Sequence, residues 1–278
     1  MLNALRAAVV AVLLVLNALL ARLGAQVNSD WTEPFPPFRI SGNLYYVGSK
    51  GLANYLITTP RGHILINSDL ESSVPLIRAS VEKLGFKFSD IKVLLISHAH
   101  WDHDAGDGRG CLRRRVGRHQ RLSIRQRPTS LYPPTTVDRM LHDGDEVRLG
   151  DAVLVAHLTP GHTKGCTTWT MQVRDGDKTY HVAIVGSPNV NPGYTLVGNP
   201  GYPGIAEDFE RTFRGLKALP VDIFLGAHGS YFGLEGKFAR LKRGGPMPFI
   251  DPDGYREYIA ERERAFRTEL ARQRGARP

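Results

Sequence analysis

The chain has 278 residues, is 42% apolar and 23% charged, and carries two cysteines and a formal net charge of +9. That length and apolar content supply one large two-layer core or a sandwich of sheets, and no second domain is required. The charge excludes a generally basic, nucleic-acid-coating protein because it is local. Residues 104–130 hold eight arginines, no lysine and two acids, a net +6, and residues 1–25 add +2, which leaves +1 for everything else.

Residues 1–25 read as an export signal. Arg6 marks a basic start, residues 7–21 an apolar middle, and Leu23-Gly24-Ala25 a small-residue end suited to cleavage before Gln26. The apolar middle is shorter than the roughly 20 residues that span a bilayer and contains Asn17, which favours a cleaved leader over a membrane anchor. The mature chain, 26–278, is then a single periplasmic domain.

Residues 45–47, 54–58 and 63–67 read as a meander turned at Thr59-Pro60-Arg61-Gly62. A helix follows over 73–84, with Val74, Ile77, Val81 and Leu84 on one face. Ile91-Lys92-Val93-Leu94-Leu95-Ile96 is the short, β-branched run of a buried strand. It delivers Ser97-His98-Ala99-His100-Trp101-Asp102-His103, which packs three imidazoles and a carboxylate together. His98 and His100 sit two apart, so extended backbone points them the same way, while Asp102 and His103 fall on the turn that follows and face a second ion. Imidazoles with one carboxylate and no thiolate suit zinc, with a position left open for water.

Residues 104–130 break the pattern. They show neither apolar periodicity nor capping signals, and no aromatic residue interleaves the arginines as a base-stacking surface would want. Regular patterning returns with strands over 146–148, 152–158, 167–173 and 180–185, a turn at Asp175-Gly176-Asp177, a helix over 205–219 and a strand over 221–225. A last amphipathic helix starts after Asp251-Pro252-Asp253 and runs through Glu261-Arg262-Glu263-Arg264.

Two later histidines stand at strand ends, in Thr159-Pro160-Gly161-His162-Thr163 and Gly226-Ala227-His228-Gly229. His98, His100 and His162 complete one tetrahedral site with water, and Asp102, His103 and His228 a second, so two zinc ions per chain are expected. His63, His119, His142, His157 and His181 are singletons and read as structural or surface residues. An oxidising compartment permits a Cys111–Cys166 bridge, and the sequence leaves that pairing open. Cys166 itself reads as a small buried residue beside the metals rather than a ligand. Ser187, Asn189 and Asn191 lie on a Gly-Pro loop, where they serve as turn formers or as hydrogen-bonding contacts. Trp101 walls the pocket or packs under its loop.

These motifs resemble the metallo-β-lactamase superfamily, whose signature is His-x-His-x-Asp-His plus two later histidines, and within it subclass B3. The likeness extends to Phe38-Arg39-Ile40-Ser41-Gly42-Asn43-Leu44-Tyr45-Tyr46-Val47-Gly48, to Pro160-Gly161-His162-Thr163-Lys164-Gly165-Cys166-Thr167-Thr168-Trp169, to Asn191-Pro192-Gly193-Tyr194 and to Tyr202-Pro203-Gly204-Ile205-Ala206-Glu207-Asp208-Phe209. It covers about residues 31–103 and 132–273. The resemblance implies an α/β fold, the αββα sandwich, and a zinc-dependent hydrolase that opens the amide bond of β-lactam antibiotics through a zinc-bound hydroxide. His100, Asp102 and His162 then form the catalytic set, and Ser187, Asn189, Asn191 and Trp101 contact the substrate. A small molecule is the only partner implied, with no nucleic acid, no membrane after cleavage and a monomeric chain.

Two departures matter. The family has a helix, a strand and a further helical stretch where this chain has its arginines, and family-like text resumes abruptly at Tyr132-Pro133-Pro134. A shifted reading frame or local deletion accounts for that, and it would leave Asp102 and His103 poorly supported, giving a zinc-binding protein with impaired catalysis. The thioesterases and lactonases of the superfamily keep a bridging aspartate where Val185-Gly186-Ser187-Pro188 has no acid, which favours the lactamase.

Overall fold

Alternating apolar residues build the first layer. The computed structural model describes residues 28–105, 137–244 and 247–275, together with the backbone of Arg115 and Val116. Strands β1 (Phe38–Ser41), β2 (Leu44–Tyr46), β3 (Tyr55–Thr59), β4 (Gly62–Ile66), β5 (Ile91–Leu95) and β6 (Arg115–Val116) form one sheet in that order. The first four pair antiparallel, while β4–β5 and β5–β6 are parallel. Side chains divide with period two. Tyr55, Ile57, Ile64, Ile66, Val93 and Leu95 enter the central core, and Leu56, Leu65 and Leu94 face outward. Helix α1 (Val74–Lys83) covers that outer face with Ile77 and Val81, and Val74 and Leu84 pack at its margins.

One helical turn, α2 (Trp101–Asp104), follows the loop after β5. The second sheet contains β7 (Glu146–Leu149), β8 (Ala152–Leu158), β9 (Thr167–Asp175), β10 (Lys178–Val185) and β11 (Ile223–Gly226), ordered 11-10-9-8-7 and antiparallel except for β10–β11. Helices α3 (Ile205–Ala218), α4 (Leu234–Lys242) and α5 (Pro252–Gly275) complete the described chain. α3 meets α5 through Phe209 and Phe213 against Phe266, with ring centroids 5.2 and 5.7 Å apart. The result is two sheets flanked by helices, the αββα sandwich expected from the resemblance.

The expected strands and helices of both halves form within a few residues of their anticipated ends, because period two and period 3.6 dominate there. Among the described residues, β1, α4 and β6 lie outside those expectations. β1 is short and bulged against β2. α4 contains Gly236 and a buried lysine, Lys237, which pairs with Asp251 Oδ2 at 2.7 Å and lies over the Phe224 ring, so its buried face does not read as apolar. β6 falls within the arginine-rich stretch read as irregular, where Leu94 and Leu95 of β5 recruit residues 115–116 through backbone pairing that needs no apolar side chain. Residues 106–114 and 117–130 of that stretch, with His119 and Cys111 among them, and the export signal lie outside the described residues. Cys166 is a buried free thiol.

The two sheets are tied together next to the loops that carry the histidines. Tyr55 Oη donates to Gly226 O at 2.7 Å and accepts from Gly226 N at 3.2 Å. Thr167 N donates to Ser97 O, and Ala53 N to Ala227 O. Removing a buried hydroxyl that serves two backbone groups strands both of them. Tyr55→Phe should therefore lower stability by about 1–3 kcal/mol, seen as a lower urea midpoint at unchanged denaturant slope.

Candidate metal centre

Each candidate ligand is placed by the end of a strand. β5 runs into Ser97, whose N–H and hydroxyl both donate to Asn67 Oδ1 at 2.9 and 2.8 Å, and the chain then turns at His98. His100 N donates to His98 O at 3.0 Å, so the backbone between the two histidines is a tight turn rather than the extended segment expected. Their rings still converge, with centroids 4.9 Å apart. Asp102 and His103 lie on α2, and the His103 carbonyl accepts the backbone N–H groups of Ser68 and Asp69 at the end of the neighbouring parallel strand.

His162 follows β8. Its loop needs Gly161, which has φ +124° and whose missing Cβ would fall 2.6 Å from Phe209. Thr212 donates to Pro160 O, and Gly161 N donates to the Tyr202 hydroxyl. The imidazole is oriented by Nδ1 donating to Asn189 O at 2.8 Å, which leaves Nε2 free to face the cluster. His228 follows β11 and is bridged to Leu52 in the β2–β3 connection of the first layer.

The six side chains form two interlocked groups. Ligand atoms of His98, His100 and His162 lie within 4.8 Å of one another, as do those of His98, Asp102 and His103. His103 Nε2 is 3.1 Å from His228 Nε2, and Asp102 Oδ2 is 3.4 Å from the first and 3.6 Å from the second. Bonds of about 2.1 Å in a tetrahedron set ligand atoms roughly 3.4 Å apart, so these spacings fit a zinc ion between Asp102, His103 and His228.

Burial settles the charge state. It drives the His98 and His162 imidazoles well below their ordinary pKa, with neighbouring imidazoles adding to the effect, and pushes His103 down to about 3. His100 and His228 are lowered for the same reason. Burial alone would raise the Asp102 carboxyl, but His103, His228 and His100 hold it below the usual range. At neutral pH the cluster is thus five uncharged lone-pair donors around one carboxylate, a donor set that suits a divalent cation.

Of the residues expected around the pocket, Trp101 is half-buried and meets Trp31 edge-on at 5.6 Å. Asn191 is exposed. Ser187 is buried, its hydroxyl 3.2 Å from that of Tyr231, and Asn189 Nδ2 donates to the same Tyr231 oxygen at 2.8 Å. His63, His142, His157 and His181 lie elsewhere. His63 packs on Phe86, His157 bonds Thr170, His181 bonds Asp222, and His142 is exposed beside Asp145.

Three participants were not anticipated. Asp69 is fully buried, with Oδ1 3.9 Å from His103 Nδ1. Tyr231 lies against His228 at 5.0 Å, and Tyr194 stacks on His162 at 5.8 Å and donates to its carbonyl at 2.9 Å. No spacing in the sequence singles out Asp69, which lies just beyond β4, the strand parallel to β5, where Asn67 and Asp69 both adopt positive φ.

A sandwich of two sheets with clustered, neutral imidazoles at its strand ends defines a metal-dependent hydrolase. The chain belongs to the metallo-beta-lactamase superfamily, whose family model matches residues 53–228. It is similar to the native FEZ-1 metallo-beta-lactamase from Legionella gormanii, at 50% identity and a TM-score of 0.84 over 87% of this chain and 98% of that one. It is also similar to BJP-1, a subclass B3 metallo-beta-lactamase of Bradyrhizobium japonicum, at 38% identity and a TM-score of 0.81 over 89% and 98% of the two chains. A more distant relative is the hydroxyacylglutathione hydrolase of Rhodopseudomonas palustris, 28% identical over 185 residues, or 66% of this chain and 65% of that protein. The chain thus matches just under two thirds of the hydrolase's length. No helix among the described residues is long and apolar enough to cross a membrane.

The depressed imidazoles predict how the metal-free protein responds to acid. Below about pH 6.5 the unfolded chain binds protons that the folded cluster refuses, so stability is complete above that pH and falls progressively towards the folded His103 value of about 3. Thermal melting after chelation should give a clearly lower midpoint at pH 5 than at pH 7.5. A midpoint independent of pH would contradict the neutral-cluster account.

Proposed function

We propose that this protein is an exported, zinc-dependent β-lactamase that hydrolyses the amide bond of penicillins, cephalosporins and carbapenems. The observation that carries the reading is the pair of donor triads, His98–His100–His162 and Asp102–His103–His228, whose atoms stand at coordination spacing. These six residues would hold zinc, and the chemistry it would supply there is Lewis acidity, which lowers the pKa of water towards neutral and polarises a carbonyl.

The chain's own groups supply the rest. His162 is aimed by Asn189 O, and His228 is flanked by Tyr231. Asp102 remains ionised between His103 and His228; Oδ2 would complete the second triad, and the other carboxylate oxygen is the group that takes the proton of the attacking water. Trp101 and Trp31 form an apolar wall on the His228 side, which excludes bulk water. The exposed Asn191 contacts the substrate carboxylate, while Asn189 and Ser187 act through Tyr231. The leader over 1–25 directs a monomeric, mature 26–278 chain to the periplasm.

The hydroxyacylglutathione hydrolase relative supports a second reading, thioester hydrolysis. Against it stands the end of β10, where Gly186-Ser187-Pro188 offers no carboxylate and the Ser187 hydroxyl faces Tyr231. The purified mature protein should hydrolyse a chromogenic cephalosporin and a carbapenem, lose that activity to a chelator, and leave glutathione thioesters essentially untouched. The reverse preference would make it a thioesterase, and stoichiometric zinc without turnover a catalytically impaired zinc protein.

Asp102→Ala tests the two-ion assignment. Two imidazoles alone hold zinc weakly, so elemental analysis should find about one tightly bound zinc per chain, together with a large loss of turnover. Two tight zincs in the variant would refute the assigned second site.

A further inference from the structure

Between β10 and α3 the chain runs from Gly186 to Gly204 without a helix or strand, through Pro188, Pro192, Pro200 and Pro203. This stretch forms the His162 side of the cleft: Asn189 O orients the imidazole, the Tyr194 ring lies against it, and the Tyr194 hydroxyl holds its carbonyl. Asn191, Pro192 and Gly193 between them are exposed. A connection this long keeps one position only where its backbone groups find partners.

Gln273, in the last turn of α5, supplies two of them. Its Oε1 accepts from Leu196 N at 2.7 Å, and its Nε2 donates to Tyr194 O at 2.7 Å. A primary amide thereby satisfies an N–H and a C=O two residues apart, as a neighbouring strand would. Glu269, one turn earlier, accepts the other N–H of Gln273 at 2.7 Å and is itself held by Arg272, which fixes the orientation of the amide. The Leu196 side chain is buried beneath this contact.

We propose that Gln273 is a specificity-determining positioning residue, which sets the Asn189–Tyr194 wall against the His162 side of the cleft from the far end of the chain. Gln273 touches neither the imidazoles nor the exposed residues 191–193, so it acts only through the loop. The proposal rests on the reading that the cleft turns over an acyl substrate.

The test uses the zinc-loaded mature chain with Gln273→Met, which nearly keeps the shape and loses both bonds, and Gln273→Glu, which keeps the acceptor for Leu196 N and loses the donor to Tyr194 O. For Gln273→Met, KM should rise about five- to tenfold with kcat within about twofold. Zinc content should match the wild type, and amide exchange at Leu196 should accelerate at least about tenfold. Gln273→Glu also loses the donor to Glu269 and sets two carboxylates against each other, so it should match or exceed Gln273→Met in both readouts. Faster exchange with an unchanged KM would reduce Gln273 to a structural staple, and unchanged exchange would show that it holds nothing. Loss of zinc, or of kcat alone, would mean that it acts on His162. If the wild type cleaves thioesters instead of β-lactams, the KM split is read on the thioester, so the substrate assignment fails while the clamp is still judged. A wild type without any acyl substrate would remove both.

Discussion

The structure turns on one electrostatic constraint: five imidazoles, three of them buried, crowd around a buried carboxylate, and all are held below their ordinary pKa. Desolvation keeps His98, His103 and His162 neutral, while His103, His228 and His100 keep Asp102 charged against its own burial. A folded chain holds such a group only if its backbone leaves little freedom to relax and a cation can meet the lone pairs. Both conditions are visible. His103 Nε2, His228 Nε2 and Asp102 Oδ2 stand at coordination spacing, and the backbone beneath both histidines is tied down, His103 O accepting from Ser68 N and Asp69 N and His228 O from Tyr231 N.

Holding the cluster requires both sheets at once. The first supplies His98, His100, Asp102 and His103 after β5, and the second supplies His162 after β8 and His228 after β11. Neither could close the site alone. The cross-sheet bonds of Tyr55 to Gly226, Thr167 to Ser97 and Ala53 to Ala227 therefore lie beside the ligands, where any sliding of one layer would separate the two triads. α3 contributes from outside, since Phe209 and Thr212 shape the turn that presents His162.

Much of the reach of the site comes from residues with no chemistry of their own. Tyr231 joins Ser187 and Asn189 to His228, and Tyr194 joins the Gly-Pro loop to His162. Gln273 and Lys237 extend the same logic to the C-terminal helices, where polar side chains do work usually assigned to apolar packing. Buried polar groups of this kind hold position because leaving them unpaired is costly.

The sequence by itself determined most of the strands and helices and the imidazole-and-carboxylate donor set, while the sandwich came from the family resemblance. Periodicity marks most of the strands and helices, and His98-Ala99-His100-Trp101-Asp102-His103 at the end of an apolar run is a local pattern that needs no tertiary information. Only the tertiary structure decided what stands behind those ligands. The contact of Asp69 with His103, the burial of Ser187 under Tyr231, the grip of Gln273 on Leu196 and the recruitment of residues 115–116 by β5 join positions far apart in the chain, and no spacing rule registers them. Ligand chemistry is written in residue types along one segment, whereas its support depends on which segments the two sheets bring together.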